Sequence, residues 1–259
     1  MTAMASGEWF TVMKSAPRPT VALVLFHYAG GNSNVFRELS SYIGGGVQVI
    51  AADLPGRGRR FGESPIDDLP LAAESAAAAL LKERSKLGTD NVILLGHSLG
   101  ARLAFHVAQK VERDGQLRLT HFVASGALPP HLPRNRKKLH NLPEGELIDE
   151  LHKYGGTPTV VLEDSELMAL LLPMLRADLK MAEEYVCHDP LPLDCDITVF
   201  GSLQDDTVEY SRLSEWSEQT QHSASLKTFS GGHFFIQEQP HMVSAVLNNL
   251  LEMGKVINS

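Results

Sequence analysis

A series of short apolar segments, bounded by turn residues, limits the folds open to this 259-residue chain. Their apolar positions are continuous and rich in Val and Ile, which is typical of strands buried on both faces of a parallel sheet. Helix-like stretches separate them. This alternation predicts an α/β fold with a mostly parallel, doubly wound sheet. The predicted strands are Val21–Phe26, Val47–Asp53, Asn91–Gly96, His121–Gly126 and Asp196–Gly201, with Ser225–Gly232 as a weaker sixth and Glu8–Met13 as an edge strand; the predicted helices include Leu69–Leu87, Leu99–Arg113 and Pro240–Met253.

The segment from 130 to 189 interrupts this alternation. It contains helix-like stretches at Glu144–Tyr154, Asp164–Leu172 and Met174–Tyr185, separated by prolines that favour short helices, and no strand-like run. Two ordinary crossover helices are one interpretation, but about sixty residues is long for one crossover. We therefore predict a helical insertion, a lid over the carboxyl edge of the sheet, at 130–189, between core segments 1–129 and 190–259.

Composition excludes several classes of protein. A hydrophobic fraction of 43% permits a large core, and a net charge of −8 disfavours nucleic acid and anionic membranes as partners. No apolar run approaches the ~20 residues of a membrane span, and no signal-peptide pattern is evident. Cys187 and Cys195 lie outside any CxxC or histidine cluster, so we expect neither a metal site nor a disulfide scaffold. We expect a cytoplasmic protein, monomeric by default.

The pentapeptide GHSLG, residues 96–100, places Ser98 between a strand-like and a helix-like segment. The G-x-S-x-G pattern alone is weak, but the order strand, serine, helix is that of a nucleophile elbow. Glycines are required there because neighbouring Cβ atoms would clash in the tight turn. The alternative is that Ser98 only caps the helix. In the helix after Ser98, the apolar residues Leu99, Leu103 and Val107 are spaced four apart, which predicts a helix face packed on the sheet. Arg102 is then expected to face water.

A serine hydroxyl needs an adjacent base to act as a nucleophile near neutral pH. With a nucleophile elbow the partners follow in the order acid, then histidine. His233 follows two glycines and the last strand-like run, so we predict that it is the base. His97 adjoins the serine and suits a structural role. The remaining candidates are expected at the surface: His106, His222 and His241.

The acid that orients the imidazole should follow the strand ending in VFGS. Asp205 and Asp206 both lie there, and the residues alone barely separate them. An oxyanion hole also requires two N–H donors. One should be the backbone N–H of Leu99, and the other should come from the loop HYAGG, where we choose Ala29 with Tyr28 as the alternative.

Several motifs together resemble the type II thioesterases, discrete α/β-hydrolases that accompany modular polyketide and nonribosomal peptide synthases. The resemblance extends from Phe26 to about Leu251 and is much more specific than the elbow alone. The motifs are FHYAGGNSNVF, DLPGRGRR, GHSLGARLAFHVA, LHKYGGTP, LLLPMLRADLKMAEEY and GGHFFI.

The resemblance assigns a role to each candidate residue. Ser98 matches the family's nucleophile, His233 its base and Asp205 its acid, with Asp206 where the family commonly has proline. Ala29 matches the oxyanion loop, and the segment 130–189 matches the helical lid. The fold implied is an α/β-hydrolase.

The function implied is hydrolysis of acyl thioesters on the phosphopantetheine arm of acyl or peptidyl carrier proteins. In this family the usual role is editing, the removal of stalled or mis-primed acyl groups. No metal or cofactor is implied, because the phosphopantetheine belongs to the partner. A carboxylesterase or lipase acting on oxygen esters is an alternative, and a non-catalytic protein that binds a synthase is another.

Carrier proteins are typically acidic, so an enzyme of this charge needs a local basic surface to bind one. A basic cluster at the start of the lid segment is either that surface or merely a solvated face. It consists of Arg134, Arg136, Lys137 and Lys138. Apolar residues further along are expected in the core of the lid. These are Met168, Leu170, Leu171 and Leu175.

Overall fold

The computed structural model describes residues 7–134 and 136–256, and within them seven strands form one sheet. The strand order is β1-β3-β2-β4-β5-β6-β7; β1 is antiparallel to β3, and all other neighbours are parallel. The predicted mostly parallel sheet is confirmed, including its edge strand and its weaker last strand. The strands are β1 (Phe10–Lys14), β2 (Val21–Phe26), β3 (Val47–Ala52), β4 (Asn91–His97), β5 (Arg118–Ser125), β6 (Ile197–Ser202) and β7 (Ala224–Phe229).

Eight α-helices accompany the sheet within the same residues. They are α1 (Arg37–Ser41), α2 (Leu69–Lys82), α3 (Leu99–Asp114), α4 (Glu144–Tyr154), α5 (Thr159–Leu162), α6 (Ser165–Glu184), α7 (Phe235–Glu238) and α8 (Pro240–Val256). None of the helices described is long and apolar enough to cross a membrane.

Alternate residues of β2 enter two different cores. Val24 and Phe26 pack in the cluster that contains the apolar faces of α2 and α3, whereas Leu23 and Leu25 pack with residues of α1 and α8. Because helices cover both faces of the sheet, both sets of strand side chains must be apolar, which explains the continuous apolar runs. The sheet is therefore doubly wound, as predicted.

Helices α4, α5 and α6 lie in the predicted lid segment, and its described residues contain no strand. One prediction there was wrong, because α6 is a single helix that continues through Pro173 where two helices were expected. Because Pro173 has no N–H, the carbonyl of Ala169 lacks its helical hydrogen bond. Both residues are exposed, so water can bond that carbonyl instead. Burial of Leu172 and Met174 on either side keeps the helix continuous. The segment boundaries at 130 and 189 stay predictions.

The core of the lid contains two of the four residues expected in it. Met168 and Leu175 are buried in a separate apolar cluster with residues of α4. Leu171 is half-buried, and Leu170 is 59% exposed, so its assignment to the lid core was wrong. The reason is helical geometry, since two residues turn a helix by about 200° and place Leu170 on the face opposite Met168.

Candidate active site

The turn between β4 and α3 holds Ser98 in a strained conformation. Its φ of 57° and ψ of −118° make it the one non-glycine residue with positive φ among residues 7–134 and 136–256. A Cβ at Gly96 would lie 2.0 Å from the carbonyl oxygen of Gly100, and one at Gly100 would lie 2.2 Å from that of Phe26. Ser98 makes no side-chain capping hydrogen bond. The geometry is that of a nucleophile elbow rather than of an ordinary helix cap.

The structure brings Ser98, His233 and Asp205 together at the carboxyl edge of the sheet. Nε2 of His233 lies 2.9 Å from Oγ of Ser98, and Nδ1 lies 2.7 Å from Oδ2 of Asp205. Asp205 follows β6 and is buried, whereas Asp206 is exposed, and it is Asp205 that hydrogen-bonds the imidazole. Because an ionised carboxylate only accepts hydrogen bonds, Nδ1 must donate, and Nε2 is left to accept from the Ser98 hydroxyl.

Thr207 also contacts Asp205 and His233, which was not predicted from the sequence. Its Oγ1 lies 2.6 Å from Oδ1 of Asp205 and 2.7 Å from Nδ1 of His233, and its backbone N–H donates to the same Oδ1 at 2.8 Å. The hydroxyl donates to the carboxylate and accepts from the imidazole, sharing with Oδ2 of Asp205 the one hydrogen on Nδ1. The available signal was the Asp-x-Thr spacing, since an aspartate commonly binds the backbone N–H two residues on.

The carboxyl of Asp205 is held ionised against the effect of its burial. Burial alone would raise the pKa of Asp205, but the hydrogen bond and charge of His233, followed by the hydrogen bonds of Thr207, bring it below its usual value. An ionised Asp205 can orient the imidazole and stabilise the imidazolium during proton transfer.

His97 lies beneath the site as a buried neutral residue. Its Nδ1 is 2.8 Å from Oγ of Ser125, and its ring centroid is 5.1 Å from that of His233. Burial, together with the neighbouring His233, lowers the pKa of His97 to about 3. It therefore supports the ring of His233 without exchanging protons near neutral pH, as the structural role predicted.

Two residues of α3 expected at the surface are covered instead. Arg102 is buried and donates to the carbonyl oxygens of Leu132 and Tyr185, each at 2.8 Å. His106 is half-buried, with its Nε2 2.5 Å from the hydroxyl of Tyr185. The prediction was wrong for both because the two ends of the lid segment cover this face of the helix. His222 and His241 are exposed, as expected.

The loop after β2 forms a tight turn beside the site. The N–H of Gly31 donates to the carbonyl of Tyr28 at 3.0 Å, and Gly30 has a φ of +80°, which is the geometry of a type II turn. This leaves the N–H of Ala29 outside the turn's own hydrogen bond. The N–H of Leu99 is also unused by its helix, because the first N–H groups of a helix have no intrahelical acceptor. Both are therefore available as donors.

Two cavities meet at Ser98. The first, called here the lid cavity, is about 60 Å³, and the second, the arginine cavity, is about 390 Å³. Ser98, Arg134 and Ala182 line both. The lid cavity is mostly apolar and includes Leu139, Leu151, Tyr154, Leu175, Leu179 and Phe234. The arginine cavity includes Arg136, Asp206, Glu209 and Arg212.

No group of three His, Cys, Asp or Glu side chains in the described parts of the chain is placed to hold a metal ion.

Comparison with known proteins identifies the family. The model of the thioesterase domain matches residues 21–251. The gramicidin S biosynthesis protein GrsT of Aneurinibacillus migulanus is 33% identical over 234 residues, which cover 90% of each chain. RedJ, a thioesterase from the prodiginine pathway of Streptomyces coelicolor, has a solved structure that superposes with a TM-score of 0.81 at 34% sequence identity. The match covers 91% of this chain and 89% of the RedJ chain.

A second structure, the type II thioesterase BorB from the borrelidin biosynthetic cluster, is 30% identical with a TM-score of 0.84 and covers 95% of this chain and 98% of its own. These structures share the mostly parallel sheet, so the predicted α/β-hydrolase fold is confirmed. Because the family model spans most of the sequence, the chain belongs to the thioesterase family.

Proposed function

We propose that the protein is a serine thioesterase that hydrolyses acyl groups from the phosphopantetheine thiol of acyl or peptidyl carrier proteins. The observation that carries this proposal is the hydrogen-bonded chain from Ser98 through His233 to Asp205, with distances of 2.9 and 2.7 Å, in a member of the thioesterase family. Its role is that of a type II thioesterase, which edits a polyketide or nonribosomal peptide synthase by removing stalled or mis-primed acyl groups.

The proposed reaction has two halves. Oγ of Ser98 attacks the thioester carbonyl as Nε2 of His233 takes its proton, and the N–H groups of Leu99 and Ala29 stabilise the oxyanion. The carbon–sulfur bond then breaks, and His233 returns the proton to the leaving thiol. Water, deprotonated by His233, attacks the acyl-enzyme, and as the second tetrahedral intermediate collapses His233 gives that proton to Oγ of Ser98, which releases the carboxylic acid and restores the serine. The residues supply every proton transfer, so the proposal includes no cofactor.

The names of the relatives support a synthase as the partner. GrsT is named for gramicidin S biosynthesis, and RedJ and BorB come from the prodiginine and borrelidin pathways. We extend this association to the present chain, for which the carrier protein would present the acyl group on its own phosphopantetheine.

The basic cluster is the proposed docking surface for the carrier protein. Lys137 and Lys138 already form ion pairs with lid glutamates, at 3.4 and 2.9 Å, so part of their charge is compensated. Arg134 and Arg136 line the arginine cavity beside Ser98. We therefore assign the larger share of carrier attraction to the two arginines.

Charge reversal tests this surface. In Arg136→Glu/Lys137→Glu we expect kcat/KM on an acyl-carrier protein to fall at least about tenfold, because long-range attraction accelerates association. Hydrolysis of a small acyl thioester should not change. Lys82→Glu, a charge reversal on α2 outside the lid, serves as the control. Equal activity of wild type and double variant on the carrier-bound substrate would remove Arg136 and Lys137 from the docking surface.

The proposed function itself is tested by giving the purified protein one acyl group as a carrier-bound thioester and as a matched oxygen ester. We expect faster hydrolysis of the thioester, and a drop of about 10⁶-fold in kcat for Ser98→Ala. A strong preference for the oxygen ester would identify a carboxylesterase instead. If Ser98→Ala restores product formation by a stalled synthase as well as wild type does, the protein acts by binding alone.

A further inference from the structure

The oxyanion turn, residues 28–31, is fixed from outside by the lid. The N–H of Gly30 donates to Oδ2 of Asp178 at 2.8 Å. Asp178 lies on α6 and is fully buried. A side chain of the lid helix therefore holds the peptide group that directly follows Ala29, the proposed oxyanion donor.

Asp178 is in turn held by Arg57, from the loop after β3. The two side chains form a bidentate ion pair, with N–O distances of 2.5 and 2.8 Å. The same guanidinium donates to the carbonyl oxygens of Gly31 and Pro55, at 3.2 and 3.3 Å. A planar guanidinium can satisfy a carboxylate and two carbonyls at once, which an ammonium cannot do with the same geometry. One ion pair thus joins the oxyanion turn, the loop after β3 and α6.

Apolar packing brings the same three segments together. A Cβ on Gly30 would lie 2.9 Å from Cδ1 of Leu175, and a Cβ on Gly56 would lie 3.4 Å from Cβ of Met174. Leu175 and Asp178 are three residues apart and share a face of α6. The helix therefore contacts the turn through one apolar and one charged side chain, and a shift of α6 must move the turn or break both contacts.

A buried ion pair is a poor way to gain stability, because apolar residues of similar volume commonly serve as well or better. Its geometric specificity is what apolar residues do not supply. Arg57 and Asp178 fix the direction of individual N–H and C=O groups in a turn that must present a donor to the reacting carbonyl.

We propose that Asp178 and Arg57 are positioning residues that make the oxyanion hole depend on the seating of the lid helix. This inference rests on the proposed function of the turn. When α6 is seated, the bond from Gly30 to Asp178 orients the turn and the N–H of Ala29; when α6 moves, that orientation is lost and the site cannot stabilise the tetrahedral intermediate.

Kinetics of the double variant Arg57→Met/Asp178→Leu test this proposal, because replacing both charges leaves none unpaired in the interior. The substrates are p-nitrophenyl acetate and the acyl-carrier thioester. We expect kcat to fall about 100-fold with KM within about threefold of wild type, as for loss of an oxyanion donor. Affinity for a trifluoromethyl ketone transition-state analogue should fall by a similar factor, which a purely structural defect would not reproduce.

Asp67→Asn is the matched control, since it breaks another ion pair of α6, between Lys180 and Asp67 at 2.5 Å, on the exposed surface and away from the turn. Its kcat should stay within about twofold of wild type. If the double variant does not fold, Asp178→Asn replaces it, with the same KM and analogue measurements. An unchanged kcat in the double variant, or in Asp178→Asn where that variant replaces it, would overturn the proposal. A loss of kcat in Asp67→Asn as large as in the tested variant would also overturn it. Failure of wild type on the carrier thioester alone would contradict the proposed function, while the ester comparison would still test this inference.

Discussion

At the scale of single residues, Thr207 completes the hydrogen bonding of the site. Its hydroxyl has one proton and two acceptor lone pairs, so it can donate to Oδ1 of Asp205 while accepting from Nδ1–H of His233. This arrangement fixes the imidazole proton on Nδ1, so that the lone pair of Nε2 is directed at Ser98. In the proposed reaction, the hydroxyl would stabilise the imidazolium formed when Ser98 attacks, in addition to the charge of Asp205.

We predict that Thr207→Val lowers kcat about tenfold with KM within about twofold. The substitution keeps the shape and removes one hydrogen bond to the imidazolium, worth about 1.4 kcal/mol in the transition state. Steady-state kinetics on the carrier-bound thioester give the result. Thr207→Ser retains the hydroxyl and should recover most of the activity; a Val variant as active as wild type would contradict the role assigned to Thr207.

At the scale of elements, Arg102 connects α3 with both ends of the lid segment. It binds the carbonyls of Leu132, before the lid helices, and of Tyr185, after them. Burial, assisted by the charge of Arg134, lowers the pKa of Arg102 to about 10, which leaves it charged near neutral pH. A charged donor on the helix that follows Ser98 thus fixes both ends of the lid segment relative to Ser98.

We expect Arg102→Leu to reduce the free energy of unfolding by about 3 kcal/mol, because two carbonyls lose a charged donor. Urea unfolding, followed by tryptophan fluorescence and circular dichroism, measures the change. Arg113→Leu removes an exposed arginine from the same helix and should change stability by less than about 0.5 kcal/mol. Equal stability of the two variants would show that the lid ends do not depend on Arg102.

The loop after α4, in the lid segment, packs against Phe234, which in turn contacts His233. The ring of Phe234 lies 5.2 Å from that of His233 and 4.9 Å from that of Tyr28, measured between centroids. A Cβ on Gly156, in the loop after α4, would lie 2.3 Å from Cζ of Phe234. The loop therefore packs against the ring that supports His233, with no room for a methyl group.

Gly156→Ala should consequently lower kcat/KM about tenfold, because either the ring or the lid loop must move and a displacement of about 1 Å can cost more than this. Gly145→Ala is the control. It lies in α4 with no atom within 4 Å of the added methyl group, and it should leave activity unchanged while stabilising the helix slightly. Comparison of the two variants on the carrier-bound thioester separates a clash at Phe234 from a general effect of alanine in the lid.

The elements show what could be predicted from the sequence. The strands and the elbow were accessible because their patterns are local: a buried strand is apolar throughout, and a serine in a tight turn needs flanking glycines. Arg102 and His106 were misplaced because their burial depends on a segment some thirty to eighty residues away, whose ends cover a face that the helix alone would expose. Continuity of α6 through Pro173 likewise depended on tertiary burial, which outweighs helix propensity.

The same distinction applies within the site. Ser98, His233 and Asp205 each follow a recognisable strand, so topology alone brings them to one edge, and the family resemblance favoured Asp205 over Asp206. The contact of Asp178 with the oxyanion turn joins residues 148 positions apart on different elements, and no local pattern signals it.

At the scale of the whole molecule, burial lowers the pKa of four histidines, His27, His97, His106 and His121, and the shift is largest for the first three. Burial, assisted by the charge of Arg57, lowers the pKa of His27 to about 4. Burial lowers that of His106 to about 4, and burial with the neighbouring His233 lowers that of His97 to about 3. In the unfolded chain these three would titrate near 6.5. Folding therefore releases protons from these groups in mildly acidic solution.

This proton release predicts that the protein loses stability between pH 6.5 and 4. Above pH 6.5 the three histidines are neutral in both states and contribute no pH dependence. As the pH falls through this range the unfolded chain binds protons that the folded chain cannot, so the free energy of unfolding decreases by about 1.4 kcal/mol per pH unit for each histidine. The lowered pKa of Asp205 acts in the same direction only below about pH 4. Urea midpoints between pH 7.5 and 4.5 measure the slope. His106→Gln should reduce the slope of the free energy of unfolding against pH by the contribution of about one proton, whereas substitution of the exposed His241 by Gln should leave the slope unchanged. A wild-type slope in His106→Gln would show that His106 is protonated within the folded protein.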